Sequence, residues 1–235
     1  TNCLKAIDAG AIGSNDEDME LKFGTTETNG NLWYQFQEQR LGYISMGKNL
    51  VDMMNTSSDP RREFYMDTTN SAGYVGSAAG DPSNSPSMIG SYYASISSPI
   101  PFISYAEVKF IEAEAAFKTG DKTRAANAYN DAVMASIQKI TGGDDSAFYK
   151  ANASETSSSI TLQKIMEQKY VALFTQIESW TDIRRTDIPK LSAAAKNVTG
   201  GVIPRRLPYP QNEVLYNAAN IPTGTSITDH VWWDK

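Results

Sequence analysis

Between Ser104 and Val133 apolar residues recur at helical spacing in two successive runs. Ala113, Ala116 and Phe117 lie in the first, and Ala125, Tyr129, Ala132 and Val133 in the second, which predicts two amphipathic helices with a small-residue seam between them. Ser104 with Glu107 three residues on is a capping box, so a helix starts there. Gly120 can adopt the left-handed conformation that ends a helix, and Asp121 after it is a good N-cap for the next. The pair should therefore form a tight helical hairpin, in the pattern of a tetratricopeptide-type repeat. Gly142-Gly143 ends it.

The rest of the chain is less regular. Residues 1–31, with Asp16-Glu17-Asp18 and the Asn29-Gly30 turn signal, predict mostly loop. From Trp33 to Met54 the apolar positions allow helix, but Gly42 and Gly47 interrupt them, leaving 46–54 as the expected helical part. Residues 67–101 shift to Gly, Ser, Ala, Asn and Pro without a sustained period, which predicts a long loop excursion. A broad apolar stripe, Ile160, Ile165, Met166, Tyr170, Leu173, Phe174 and Ile177, predicts another helix, continued by a short helix or bend over Trp180–Arg185. Pro189 should start a helix over Lys190–Lys196, stopped by Gly200-Gly201. From Val202 on, Pro204, Pro208, Pro210 and Pro222 predict an extended tail, which Arg206, Tyr209, Tyr216, Trp232 and Trp233 can anchor by packing.

Composition narrows the function classes. A chain of 235 residues buries one sizeable core, so a single domain is expected. The net charge of −6 and the lack of any Lys/Arg cluster beyond a pair speak against a nucleic-acid surface. Cys3 is the only cysteine and His230 the only histidine, so no internal disulfide, CxxC zinc site or multi-histidine metal centre is available, and no cofactor is expected. No apolar run reaches the roughly 18 residues that a membrane-spanning helix needs.

Several segments, in order, resemble the SusD/RagB-like outer-membrane nutrient-binding lipoproteins of Bacteroidetes. Asp59-Pro60-Arg61 is similar to that family's DPR segment, and Tyr105-Ala106-Glu107-Val108 with Ala113-Glu114-Ala115 to its YAEV…AEA helix. Gln168-Lys169-Tyr170 resembles its QKY helix, and Glu178-Ser179-Trp180 through Arg184-Arg185-Thr186 its E-x-W…RRT element. Arg206-Leu207-Pro208-Tyr209-Pro210, then Glu213 and Asn217, is similar to its closing R-x-x-YP…E…N segment, and Val231-Trp232-Trp233-Asp234 also fits. The resemblance covers 46–235.

It implies a mainly α fold, a SusD-like α/α superhelix with a tetratricopeptide-like helix pair, long irregular loops and an extended tail. It also implies an oligosaccharide- or nutrient-binding surface and a SusC-like TonB-dependent transporter as partner. The location implied is the cell outer membrane, as a surface-exposed lipoprotein. Family members carry N-terminal helical repeats and a lipid-modified cysteine, so 1–235 is expected to be a single C-terminal domain of that fold, with Cys3 an ordinary thiol.

Sugar binding without catalysis needs flat apolar faces ringed by hydrogen-bonding groups, and Tyr and Trp on loops supply both. The ligand-binding candidates are Tyr74, Tyr92 and Tyr93 in the excursion, with Asp81 and Asn84 as polar partners and Asn70 nearby. Their alternative use is to pin that loop onto the core. Trp33 and Tyr34 read as core, and Trp180, Trp232 and Trp233 as anchors. Arg184 and Arg185 read as internal partners of Glu178, Glu107 or Asp187. Two further function classes stay open: a helical scaffold that docks the transporter without a ligand site of its own, and a glycoside hydrolase drawing its two carboxylates from Asp16, Glu17, Asp18, Asp144 and Asp145.

Overall fold

Caps set the central hairpin. Ser104 Oγ accepts the Glu107 N–H at 3.2 Å and Asp121 Oδ1 the Arg124 N–H at 3.0 Å, while Gly120 turns the chain at φ +88°. Each side-chain oxygen satisfies a donor that the first helical turn leaves unpaired. The computed structural model describes residues 2–69, 73–81 and 85–234. Its elements are α1 (Asn2–Asp8), β1 (Met19–Leu21), α2 (Leu32–Gln39), α3 (Lys48–Thr56), α4 (Arg62–Tyr65), α5 (Ser91–Ala94) and β2 (Ile100–Ile103). Then follow α6 (Tyr105–Lys118), α7 (Lys122–Thr141), α8 (Ser146–Asn152), α9 (Leu162–Ala172), α10 (Glu178–Thr186) and α11 (Gln211–Tyr216). The fold is mainly helical, as the periodicity predicts.

The α6–α7 seam is lined by Ala113, Ala116, Ala125 and Ala132, all fully buried, so the two backbones approach closely. Phe110, Tyr129, Val133 and Ile137 fill the space toward α8 and α9, where Phe148, Ile165 and Met166 close the first core. Each such side chain contributes roughly 1.5–3 kcal/mol of apolar burial. A second core gathers Leu50, Val51 and Met54 of α3 with Tyr65, Met66, Ile89, Tyr93 and Val171.

The two cores meet at Arg61, which is wholly buried. Its guanidinium makes a fork to Asp59, Nε to Oδ1 at 2.9 Å and Nη2 to Oδ2 at 2.6 Å. It also donates to Ser136 Oγ of α7 at 2.8 Å and Gln168 Oε1 of α9 at 2.9 Å. The Asp-Pro-Arg turn is thus bolted to α7 and α9.

Several elements depart from the sequence reading. Residues 2–8 are helical, packed on α6 and tied to α7 through an Arg124–Asp8 pair at 2.7 Å. Met19–Leu21 pairs antiparallel with Ile100–Ile103, a non-local contact that no local pattern signals. Between Trp33 and Met54 there are two helices, because Gly42 takes φ +82° and breaks the run. The apolar stripe from Ile160 does not continue as one helix: α9 ends at Ala172, Thr175 adopts φ +70°, and Ile177 is 74% exposed. No helix forms over Lys190–Lys196, where Pro189 follows a cis bond and the chain runs as extended backbone and turns.

The tail also differs. It contains α11, whose six residues are all exposed. Trp233 is anchored, its ring 4.6 Å from the Arg184 guanidinium, which lies 3.8 Å from the Trp180 ring on its other contact. Trp232 is not an anchor, being 86% exposed, and neither is Tyr216 at 85%. Arg185 pairs with Glu114 and with Asp182, at 2.6 Å for the latter, instead of the carboxylates its sequence neighbourhood suggested. No helix among the described residues is long and apolar enough to cross a membrane.

Candidate functional site

The excursion after Asp67 is held by backbone pairing, not by a sheet. Met66 bridges Ile89, and Ser77 bridges Gly47 at the start of α3. Gly76 passes so close to α3 that a Cβ there would lie 2.4 Å from Lys48 Cα. This path separates the tyrosines chosen from sequence.

Tyr93 is packed into the second core. It is 5% exposed, edge-on to Tyr65 at 5.2 Å and to Phe174 at 5.0 Å. The reason is local: Ser91–Ala94 is one helical turn, so adjacent side chains diverge by about 100°, and Tyr93 turns inward while Tyr92 stays half-buried, both rings reaching the same cleft. Burial pushes the Tyr93 phenol well above its ordinary 10.0.

Tyr92 is half-buried. Its hydroxyl donates to the Lys139 carbonyl at 3.2 Å and its ring meets Phe64 edge-on at 6.2 Å. With Pro99, Pro101, Asn15 and Gln176 it lines a cleft of about 50 Å³, across which Lys139 Nζ pairs with Asp18 at 3.2 Å and Glu20 at 2.8 Å. Such a volume suits a few water molecules at roughly 10–15 Å³ each, not a sugar ring.

Tyr74 stands apart from that cleft. It is half-buried against the second core, with the Arg62 guanidinium 5.3 Å from its ring centroid and its carbonyl accepting from Asn55 Nδ2 at 3.0 Å. Asp81 lies on the same excursion, where the Ser77 hydroxyl donates to its carbonyl at 2.8 Å. Asn84 and Asn70 lie outside the described residues. The structure thus keeps Tyr74 and Asp81 on one loop and takes Tyr92 and Tyr93 elsewhere.

A groove that sequence reasoning missed opens between α3, α8 and α9. It measures about 470 Å³, within the range of small-molecule sites, and is lined by Asp52 and Thr56, Asn152, and Glu155, Lys164 and Glu167. Lys164 Nζ pairs with Glu155 at 2.7 Å, and the Tyr129 hydroxyl donates to the Asn152 carbonyl at 2.7 Å in its floor. These groups offer donors and acceptors to hydroxyls but no exposed aromatic face. Asp52 and Glu167 are too distant in sequence for spacing to have revealed it.

Four of the five carboxylates considered for hydrolysis, all but Asp16, have structural partners. Asp18 accepts the Tyr105 N–H at 2.7 Å, Asp145 caps α8 through the Phe148 N–H at 2.8 Å, and Asp144 accepts from Gln138 at 2.9 Å. Glu17 accepts the Gly13 N–H at 2.7 Å. Among the described residues no cluster of His, Cys, Asp and Glu has metal-binding geometry.

Comparison with known proteins supplies the remaining evidence. The SusD-like family described as starch-binding and associating with the outer membrane matches residues 1–210. That span includes residues 1–45, which the sequence resemblance left out, and ends within the tail, at Pro210. A chitin-binding protein of known structure aligns over 98% of this chain and 58% of its own, with 27% identity and TM-score 0.76. A chitin-binding SusD homologue from Flavobacterium johnsoniae aligns over 96% and 56%, with 25% identity and TM-score 0.77. A SusD homologue from Parabacteroides distasonis aligns over 100% and 60%, with 20% identity and TM-score 0.81, and shows the shared fold. The chain therefore spans less than two thirds of the length of each of these structures. No curated protein matches it.

Proposed function

The chain belongs to the SusD-like family, and from that premise we propose that it is a non-catalytic binding protein that captures oligosaccharide at a bacterial outer membrane and passes it to a SusC-like TonB-dependent transporter. The observation that carries this reading is the alignment of nearly the whole chain with two chitin-binding structures at 27% and 25% identity. The groove of about 470 Å³ supports it, because the amide, carboxylate and ammonium groups set among its apolar walls suit sugar hydroxyls. In this reading Tyr74, with Arg62 over its ring and Asp81 on the same loop, remains a ligand contact. Tyr92 is a weaker one, its cleft being too narrow, and Tyr93 is none. A lipid anchor in the whole protein would hold it at the surface.

The test is calorimetric titration of chito- and malto-oligosaccharides into the purified chain. Saturable binding, weakened by Tyr74→Ala without loss of the folded state, supports the proposal, and absence of binding to either series overturns it for this stretch of protein. The second reading, a scaffold that docks the transporter, is favoured by one observation: Tyr92 and Tyr93 spend their polar and aromatic contacts inside the protein. It predicts transporter association with no sugar affinity.

A further inference from the structure

Among the described residues four of the eight arginines are ion-paired, and Arg40, Arg62, Arg184 and Arg206 are not. Arg61, Arg124, Arg185 and Arg205 each form ion pairs with carboxylates, to Asp59, Glu112, Glu114 and Asp234 among others. Arg206 does not. Its backbone N–H donates to the Ile227 carbonyl at 3.2 Å, but its guanidinium has no carboxylate or carbonyl partner among the described residues. It is half-buried and held over the Tyr209 ring at 5.3 Å, and the Tyr209 hydroxyl is likewise without a partner among the described residues. The Arg206 donors are open to solvent and not buried without a partner, so they are available to a ligand.

Both side chains line a cavity of about 210 Å³ whose other walls include Leu207, Val214, Ile221 and Ile227, with the Thr225 and Ser226 residues at its edge. No acidic residue takes part in that lining, although the chain as a whole carries a net charge of −6. The other clefts differ. The groove over α9 is lined by Asp52, Glu155 and Glu167, the Tyr92 cleft by Asp18 and Glu20, and the cavity beside α10 by Asp187.

We propose that the Arg206–Tyr209 cavity is an accessory site for a carboxylate-bearing sugar ring, that is, a uronic acid residue of an oligosaccharide. The guanidinium fork matches a carboxylate with two parallel N–H···O bonds, and stacking on Tyr209 fixes the plane of that fork. The apolar walls take the C–H face of the ring, and the Tyr209 and Thr225 hydroxyls are placed at the cavity for its hydroxyl groups. The volume suits one ring and not a chain, so the site would read a single acidic unit. That the anion is a saccharide rests on the proposed function; that an anion is preferred rests on the lining alone.

The test is titration of D-glucuronate, with glucose as the neutral control, followed by backbone amide shifts of the whole chain. The account expects saturable shifts at Val214, Ser226 and Ile227 with glucuronate and none with glucose. Affinity for glucuronate should fall at least about tenfold in Arg206→Gln, since one bidentate charged contact is lost. In Tyr209→Phe, which keeps the stacked ring, it should fall only a few-fold. Shifts elsewhere, or none, in the wild-type protein overturn the proposal without reference to any variant. Glucuronate binding unchanged in a folded Arg206→Gln protein overturns it too. Binding of neutral oligosaccharide without glucuronate binding sinks this inference and leaves the proposed function standing, whereas failure of both ligands sinks both.

Discussion

Replacing Arg61 by methionine isolates the buried junction between the two cores. The substitution keeps an apolar stem of similar length but removes the fork to Asp59, the bond to Ser136 on α7 and the bond to Gln168 on α9. Asp59, 1% exposed, would keep its charge with no partner except the N–H of residue 61, which it accepts at 2.9 Å. Breaking a buried pair by removing one partner costs roughly 3–5 kcal/mol, because the remaining ion stays desolvated. At about 2–4 °C per kcal/mol for a chain of this size, the melting temperature should drop by about 6–20 °C. Urea unfolding followed by circular dichroism measures the same loss as a shift in midpoint with unchanged slope. The double variant Asp59→Asn with Arg61→Met removes the orphaned charge and should be more stable than Arg61→Met alone. A single variant within about 1 kcal/mol of wild type, or a double variant less stable than the single one, would refute the reasoning.

Three further predictions concern charge and the tail. For Glu114, burial raises the carboxyl but Arg185 and Lys118 outweigh it and hold it at about 2, against an ordinary 4.5. Its contribution to stability is therefore complete above about 4.5 and lost as the pH falls toward 2; Glu114→Gln should remove that part of the acid transition in urea midpoints measured from pH 7 down. Glu107 has the opposite sign, since burial raises its carboxyl, so Glu107→Gln should cost little or stabilise at pH 7. Trp233→Ala should expose residues 203–234 to faster hydrogen exchange and proteolysis by opening the Trp180–Arg184–Trp233 stack, whereas Trp232→Ala should change stability by less than about 0.5 kcal/mol.

What the sequence disclosed was what local chemistry decides. Ser104, Gly120, Asp121 and Gly142 occupy the caps and turns assigned to them, and the alanine seam is fully buried, because these signals act within a few residues. The β1–β2 pairing was silent because its strands are about eighty residues apart and only three or four residues long, and strand pairing is a tertiary event. Tyr92 and Tyr93 read alike as neighbours in a Gly/Ser-rich stretch, yet one helical turn sends Tyr93 inward. The groove between α3 and α9 and the Arg206 cavity depend on how distant segments meet, so no spacing rule reaches them. The R-x-x-YP residues were visible as a motif; that Arg206 lacks a carboxylate partner was not.

Calorimetric titration of chito-oligosaccharide, paired with an assay for new reducing ends on the same samples, reaches the central claim most directly. Saturable binding with an unchanged count of reducing ends is the predicted result. Accumulating reducing ends, or no saturable heat with any oligosaccharide tried, would contradict it.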